Sequence, residues 1–292
     1  MPDFRAAYEK IRPAIVGVGI CANGEINIIG TGFFYTKQGH IITNEHVFKS
    51  LLVKADNGEI GIASGASAWI IFPHPSDSDH VINRMEALPI TSAIVVPNPF
   101  EGQDAYADWP KFQNLELVAA GFPQEADIAI LEARLPTDLD FEISISPVEI
   151  RRVGVDFQVG TPVAILGYPG GLSLPTNRET INRTLQITPL MQTGIVAGVL
   201  PFPKVPNPEA FVLDIYITPG SSGSPVFLED GTVVGLVYAT QLRCWPLSRV
   251  ENGVVVKSET EFTGIPNSLG LALPSARFPD GIYAHIRDSR AG

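Results

Sequence analysis

The chain has 292 residues, 45% of them hydrophobic, which is enough apolar material for a sizeable core and excludes a disordered polymer. A net charge of −11, from 31 acidic against 20 basic residues with no basic cluster, argues against a nucleic-acid partner. Two cysteines far apart, Cys21 and Cys244, exclude a disulfide-stapled scaffold, and no window approaches the roughly 18 apolar residues of a membrane span. The start, "MPDFRAAYEK", carries charges where a secretory leader needs its apolar stretch, so the expectation is a cytoplasmic protein with two free thiols.

In chain order, Met1 to Arg12 reads as a short helix or arm ending at Pro13. "AIVGVGIC", "INIIGTGFFYT" and "HIITN" read as consecutive strands with turns at Asn23-Gly24 and Gln38-Gly39, leaving His46 just past the third. From Asp56 to Gln124 the prolines at 73, 75, 89, 97, 99 and 110 interrupt short apolar pieces, which predicts an irregular decorated insertion. Strand signals resume at "DIAILEA" and "TPVAILGYP", then run through "TLQITPLMQTGIVAGVL", "FVLDIYI", "TVVGLVYAT" and "LGLALPS". Gln241 to Ser268 reads as a long loop, and Pro279 to Arg290 as a terminal helix. With 27 glycines and 25 prolines punctuating short Val- and Ile-rich runs, the fold class is all-β, with antiparallel strands closing into one or two barrels.

The stretch "TPGSSGSPVF", Thr218 to Phe227, sets three serines in a turn stiffened by proline and loosened by glycine. A linker would have this composition, and so would a nucleophile held at a sharp turn. A serine hydroxyl attacks only when a base takes its proton, and the base needs a third group to hold its ring. The candidate bases are His40, His46, His74, His80 and His285, of which His46 stands at the end of an apolar strand that can aim it. Asp127, at the mouth of the apolar run "DIAIL", is either a surface residue or an acid desolvated on purpose, which could reach a neighbouring imidazole and stay ionised there. "FPHPSDSDH" gathers His74, Asp77, Asp79 and His80, yet it is polar and bounded by prolines and no further cluster completes a shell, so a solvated loop and no metal are expected. "GYPGG" lacks the Lys-Ser/Thr of a phosphate loop and reads as a turn.

"GTGFFYTKQGHIITNEHV", "DIAIL" and "TPGSSGSPVF", in that order, resemble the trypsin-like serine peptidases, most closely their Htr (high-temperature-requirement) branch, over about Ile15 to Ser275. The resemblance implies two packed six-stranded antiparallel barrels, here a first barrel over about 13–135 and a second over about 150–275 within a single domain of 1–292, followed by a terminal segment 276–292. It implies His46 as general base, Asp127 as its orienter and Ser222 as nucleophile, with Ser221 and Ser224 flanking, and the amides of Gly220 and Ser222 as oxyanion hole. No cofactor is required, and the partner is a polypeptide substrate. Ser221 stands where digestive relatives carry the aspartate that pairs with a freshly cut N-terminus, so activation by that ion pair is not expected.

The branch usually adds a peptide-binding PDZ domain, but fewer than 20 residues follow Ser275, so the expectation is a chain without one, with any regulatory partner acting at 56–124 or 241–268. The resemblance puts Tyr216, six before Ser222, at the base of the S1 pocket, with Thr218, Tyr238, Ala239 and Thr240 around it and no charge to pair a substrate cation. This predicts small or medium apolar P1 residues. Tyr238 departs from the family, which commonly has there a small hydroxyl residue that bonds the catalytic aspartate. Two alternatives remain at this stage: an acyl or ester hydrolase using the same three residues, and a silent binding module with a collapsed oxyanion turn.

Overall fold

In the computed structural model, residues 2–22, 25–54, 56, 60–74, 82–96, 127–134, 146–154, 157–169, 173–175, 189–200, 203–204, 208–251, 254–278, 280 and 282–283 are described. Helix α1 (Arg5–Ile11) opens the chain and tightens into a 3-10 turn, Arg12–Ala14, at Pro13. Strands β1 (Ile15–Ala22), β2 (Glu25–Phe34) and β3 (His40–Thr43) follow, then the short helix α2 (Glu45–Lys49) and a small pair, β4 (Leu52–Lys54) with β5 (Ile60–Ile62). Strands β6 (Ala66–His74), β7 (Ile82–Val96) and β8 (Ile128–Ala133) complete the first half. The second half holds β9 (Glu149–Ile150), β10 (Pro162–Gly167), β11 (Ser173–Pro175), β12 (Leu190–Leu200), β13 (Ala210–Leu213), β14 (Pro225–Phe227), β15 (Thr232–Glu251) and β16 (Val254–Pro274).

Each half closes on itself. The first sheet runs β1-β6-β7-β8-β3-β2 and returns to β1 by an antiparallel pairing with β2; the second runs β14-β10-β12-β13-β16-β15 and returns to β14. Two closed six-stranded antiparallel barrels result, so no ring strand is left with an unpaired edge inside the barrel. β11, from the second half, adds to the outer side of β2, and β9 runs parallel to β15.

The strands of the second barrel read as unbroken hydrophobic runs because both their faces are covered. Along β10, Val163 and Ile165 enter the second barrel's core, while Ala164 and Leu166 join the cluster it shares with the first barrel. Along β15, Val234 and Val237 do the former, and Val233 and Leu236 the latter. β10 thus keeps the two-residue period of a strand with apolar surroundings on each side, whereas in β15 the spacing is three because its pairing with β14 shifts register between Val233 and Gly235. A fully buried Val or Leu contributes about 1.5–3 kcal/mol, so the shared cluster fastens the barrels together. Helix α1 covers the same junction from outside: Phe4, Ala7 and Ile11 are buried, and Phe4 meets Phe227 edge-on at 5.9 Å.

The structure corrects two expectations. The irregular insertion begins later than Asp56, because β6 and β7 lie within it and are two staves of the first barrel. Pro73 lies beyond the β1–β6 ladder, which ends at Ile70, so its missing amide costs no bond on that side. Residues 97–126 lie outside the described ones. Likewise 241–268 is no loop for most of its length: β15 and β16 continue through it as a long two-stranded hairpin to Glu251 and Val254. Register shifts at three places and prolines at 246 and 266 hide its alternation. Within the expected terminal helix, Asp280, Ile282 and Tyr283 are helical and the remainder lies outside the described residues. Cys21 is a free thiol. No helix among the described residues is long and apolar enough to cross a membrane.

Candidate active site

β3 pairs antiparallel with β8, Thr43 facing Ala129, and this register carries Asp127, just before β8, to the start of α2. His46 is on that helix rather than on a loop, as its position after an apolar strand had suggested. His46 Nδ1 lies 2.6 Å from Asp127 Oδ2, and the His46 backbone amide donates to Asp127 Oδ1 at 3.1 Å. An ionised carboxylate only accepts, so the ring proton sits on Nδ1 and the Nε2 lone pair is left free. Asn44 Nδ2 donates to the Asp127 carbonyl at 2.9 Å, which fixes the backbone under the carboxylate. Exposure divides the pair in the sense a base and its orienter need: the Asp127 side chain is 12% exposed and that of His46 45%. Beside them Glu45 is buried and meets Lys49 at 3.0 Å, one helical turn on.

Burial pushes the Tyr238 phenol up, and the Asp127 and Glu209 carboxylates push it further. The ring that replaces the family's small hydroxyl therefore stands close enough for the Asp127 charge to act on it, and it stays neutral beside that charge.

The serine turn is built from alternating commitments. The Ser221 amide donates to Thr218 O at 3.0 Å, Gly223 to Val237 O at 2.9 Å and Ser224 to Ser221 O at 3.0 Å. The amides of Gly220 and Ser222 take no acceptor among the described residues. Gly220 and Gly223 hold φ near +89° and +87°, where a side chain is strained. Of the motif's serines, Ser221 and Ser224 are buried and Ser222 alone is partly exposed, which removes the two rivals. From Ser222 to His46 the path is short: Ser222 O accepts the Thr31 amide at 2.8 Å, Thr31 O accepts Thr43 Oγ1 at 2.6 Å, and Thr43 precedes His46 by three residues.

A Cβ on Gly223 would clash with the Thr31 carbonyl and come within 2.6 Å of Thr43 Oγ1. Gly223→Ala is therefore expected to destabilise the protein by about 2–4 kcal/mol, from the positive φ and the backbone clash together. Thermal or urea unfolding checks it, and a change within about 0.5 kcal/mol would contradict the tight junction.

The S1 candidates are less convergent. Tyr216 is 52% exposed between buried Ile215 and Ile217, an exposure that fits a wall or rim better than a pocket floor. Among the described residues Thr218 Oγ1 is buried with no hydrogen-bond partner. Ala239 and Thr240 continue β15 opposite Leu271 and Gly270, and their side chains lie outside the described residues. In "FPHPSDSDH", 72–74 end β6 and 75–80 lie outside the described residues. Sequence reasoning passed over Thr31 and Asn44; each is a buried polar residue inside a motif already quoted, and that was the available signal.

The model of the trypsin-like peptidase domain matches residues 30–236, which include the second half of β2, β3, Asp127 and the serine turn. The chain belongs to the trypsin-like peptidase family. Among curated relatives of the chain, the "Probable periplasmic serine endoprotease DegP-like" of Halomonas elongata is 24% identical over 245 residues, 81% of this chain and 43% of that protein. "Protease Do-like 1, chloroplastic" of Arabidopsis thaliana is 24% identical over 207 residues, 71% of this chain and 32% of that one. The chain thus spans less than half the length of the curated relatives it matches. Solved structures with similar folds include the serine endoprotease from Yersinia pestis, at 17% identity and a TM-score of 0.48, covering 98% of this chain and 67% of that one. The HtrA-type protease AlgW with a decapeptide, at 12% identity, also scores 0.48 and covers 99% and 68%.

Proposed function

We propose that the protein is a serine endopeptidase that cleaves peptide bonds through an acyl-enzyme, its two barrels and terminal segments acting as one peptidase domain. The observation that carries this reading is the 2.6 Å contact that engages Nδ1 of a half-exposed His46 and leaves Nε2 as its base, on the same short path of contacts as the one partly exposed serine of the turn. Ser222 Oγ attacks the substrate carbonyl carbon while His46 Nε2 takes its proton, and Asp127 stabilises the imidazolium without being protonated itself. The negative oxygen of the tetrahedral adduct accepts from the Gly220 and Ser222 amides, each worth about 3 kcal/mol of barrier. The C–N bond breaks as His46 returns the proton to the leaving amine, and water repeats the sequence on the ester, releasing the acid and regenerating Ser222. Ser222 Oγ has no hydrogen bond with a described residue, as is common before substrate tightens a site.

Around the scissile bond, Tyr216, Thr218, Tyr238, Ala239 and Thr240 present no charge to a P1 side chain, and exposed Asp214 lies two residues further upstream. The preference expected is for small or medium apolar P1 residues. Digestion of casein and of a peptide library, with cleavage sites mapped by mass spectrometry, is expected to show Val, Ala or Leu before the cut. Cleavage after Arg or Lys would overturn the specificity, and cleavage of simple esters without peptides would overturn the endopeptidase.

A further inference from the structure

Thr31 lies in β2 of the first barrel and is completely buried, yet every polar atom it owns is engaged, and with both halves of the molecule. Its amide donates to Ser222 O at 2.8 Å, and its hydroxyl donates to Gly220 O at 2.8 Å. The same hydroxyl accepts the Tyr168 amide, at the end of β10, at 3.0 Å. Its carbonyl accepts Thr43 Oγ1 at 2.6 Å, on the strand that leads into His46. One residue thus holds the two carbonyls that bracket Ser221, fastens the second barrel's β10, and is itself fastened to the strand that leads into the helix carrying the base.

From this we infer that Thr31 is a positioning residue that sets the serine turn relative to His46 and holds the Gly220 and Ser222 amides ready for an oxyanion. The physical reason is that a peptide plane is rigid. With the Gly220 and Ser222 carbonyls tied to Thr31, the planes that follow those residues cannot swing, and the Gly220 amide is aimed by its own φ near +89° alone. Removing the hydroxyl frees the Gly220 carbonyl in a dry junction, where regaining a partner requires the turn to rotate. The valine isostere keeps the β-branched shape that suits β2, so it separates the hydrogen bonds from the packing.

The inference rests on the peptidase reading, and the test keeps the two apart by including wild type and Ser222→Ala. Thr31→Val, Thr31→Ala and Thr31→Ser are compared for kcat and KM on a library-derived peptide, with the concentration of competent sites fixed by fluorophosphonate titration and with melting temperatures recorded. Expected for Val and Ala is a kcat per titrated site lowered about 100-fold, the scale of a small misplacement of reacting groups, with KM within threefold. Ser, which keeps the hydroxyl, is expected to restore kcat to within about fivefold of wild type. A kcat per site within threefold of wild type for both hydroxyl-free variants, whatever their melting temperatures, would overturn the role. If neither folds, Thr43→Val, which cuts the link between Thr31 O and the strand that leads into His46, is expected to lower kcat at least tenfold without changing KM, and an unchanged kcat would be equally decisive. If wild type neither turns over peptide nor reacts at Ser222, the peptidase reading itself has failed.

Discussion

Replacing Ser222 by alanine is expected to lower kcat on a cleavable peptide by about 10⁶-fold while leaving the melting temperature within about 2 °C. The size follows from the division of labour at the turn. Ser222 Oγ makes no hydrogen bond to a described residue, so its loss orphans nothing in the fold. Its backbone, which the fold does use through the Thr31 amide, is retained. Neither neighbour can take over, since Ser221 and Ser224 are 1% and 0% exposed and the Ser221 hydroxyl accepts the Thr218 amide at 3.4 Å. A residual rate above the uncatalysed one is expected from the two amide donors and from substrate binding. Equal turnover by wild type and Ser222→Ala, measured on protein free of contaminating protease, would remove Ser222 as nucleophile.

The second large effect is on the base. Asp127→Asn keeps the shape and an oxygen for the His46 amide, but its NH₂ faces the imidazole Nδ1 as a donor. The ring then carries its proton on Nε2 and has none to accept from Ser222, so kcat is expected to fall about 10⁴-fold with KM little changed. A loss below tenfold would make Asp127 a bystander. An independent readout needs no turnover: the Asp127 charge raises the Tyr238 phenol, so its neutralisation is expected to lower the pH at which that tyrosine ionises, followed by ultraviolet absorbance. No shift would mean that ring and carboxylate are further apart than described.

Much of this was readable in the residues, for identifiable reasons. The proposed chemistry is local to three short motifs, and a strand end, a strand mouth and a Gly-Ser turn each look unusual against their surroundings: His46 after "IITN", Asp127 before "IAIL", and Ser222 in "GSSG". The strands of the second barrel announced themselves as unbroken apolar runs, because both their faces are covered. What escaped was set by pairing. β6 and β7 contain Pro73 and Pro89, which read as breakers but sit where the ladder tolerates them; Pro89 even contributes its carbonyl to the Arg134 amide at 3.0 Å. The β15–β16 hairpin is held over much of its length by the two strands' pairing with one another, with shifts of register that blur its period. Thr31 escaped for a third reason: a threonine in a strand is unremarked until the structure shows that its four bonds reach both barrels.

Treatment with a fluorophosphonate probe followed by peptide mapping reaches the central claim most directly, because it reports whether His46 activates Ser222 without requiring the right substrate. The account predicts a single phosphonylated residue, Ser222, formed at a rate that falls at least 1,000-fold in His46→Ala. Modification at another residue, or labelling of Ser222 undiminished by the loss of His46, would contradict it.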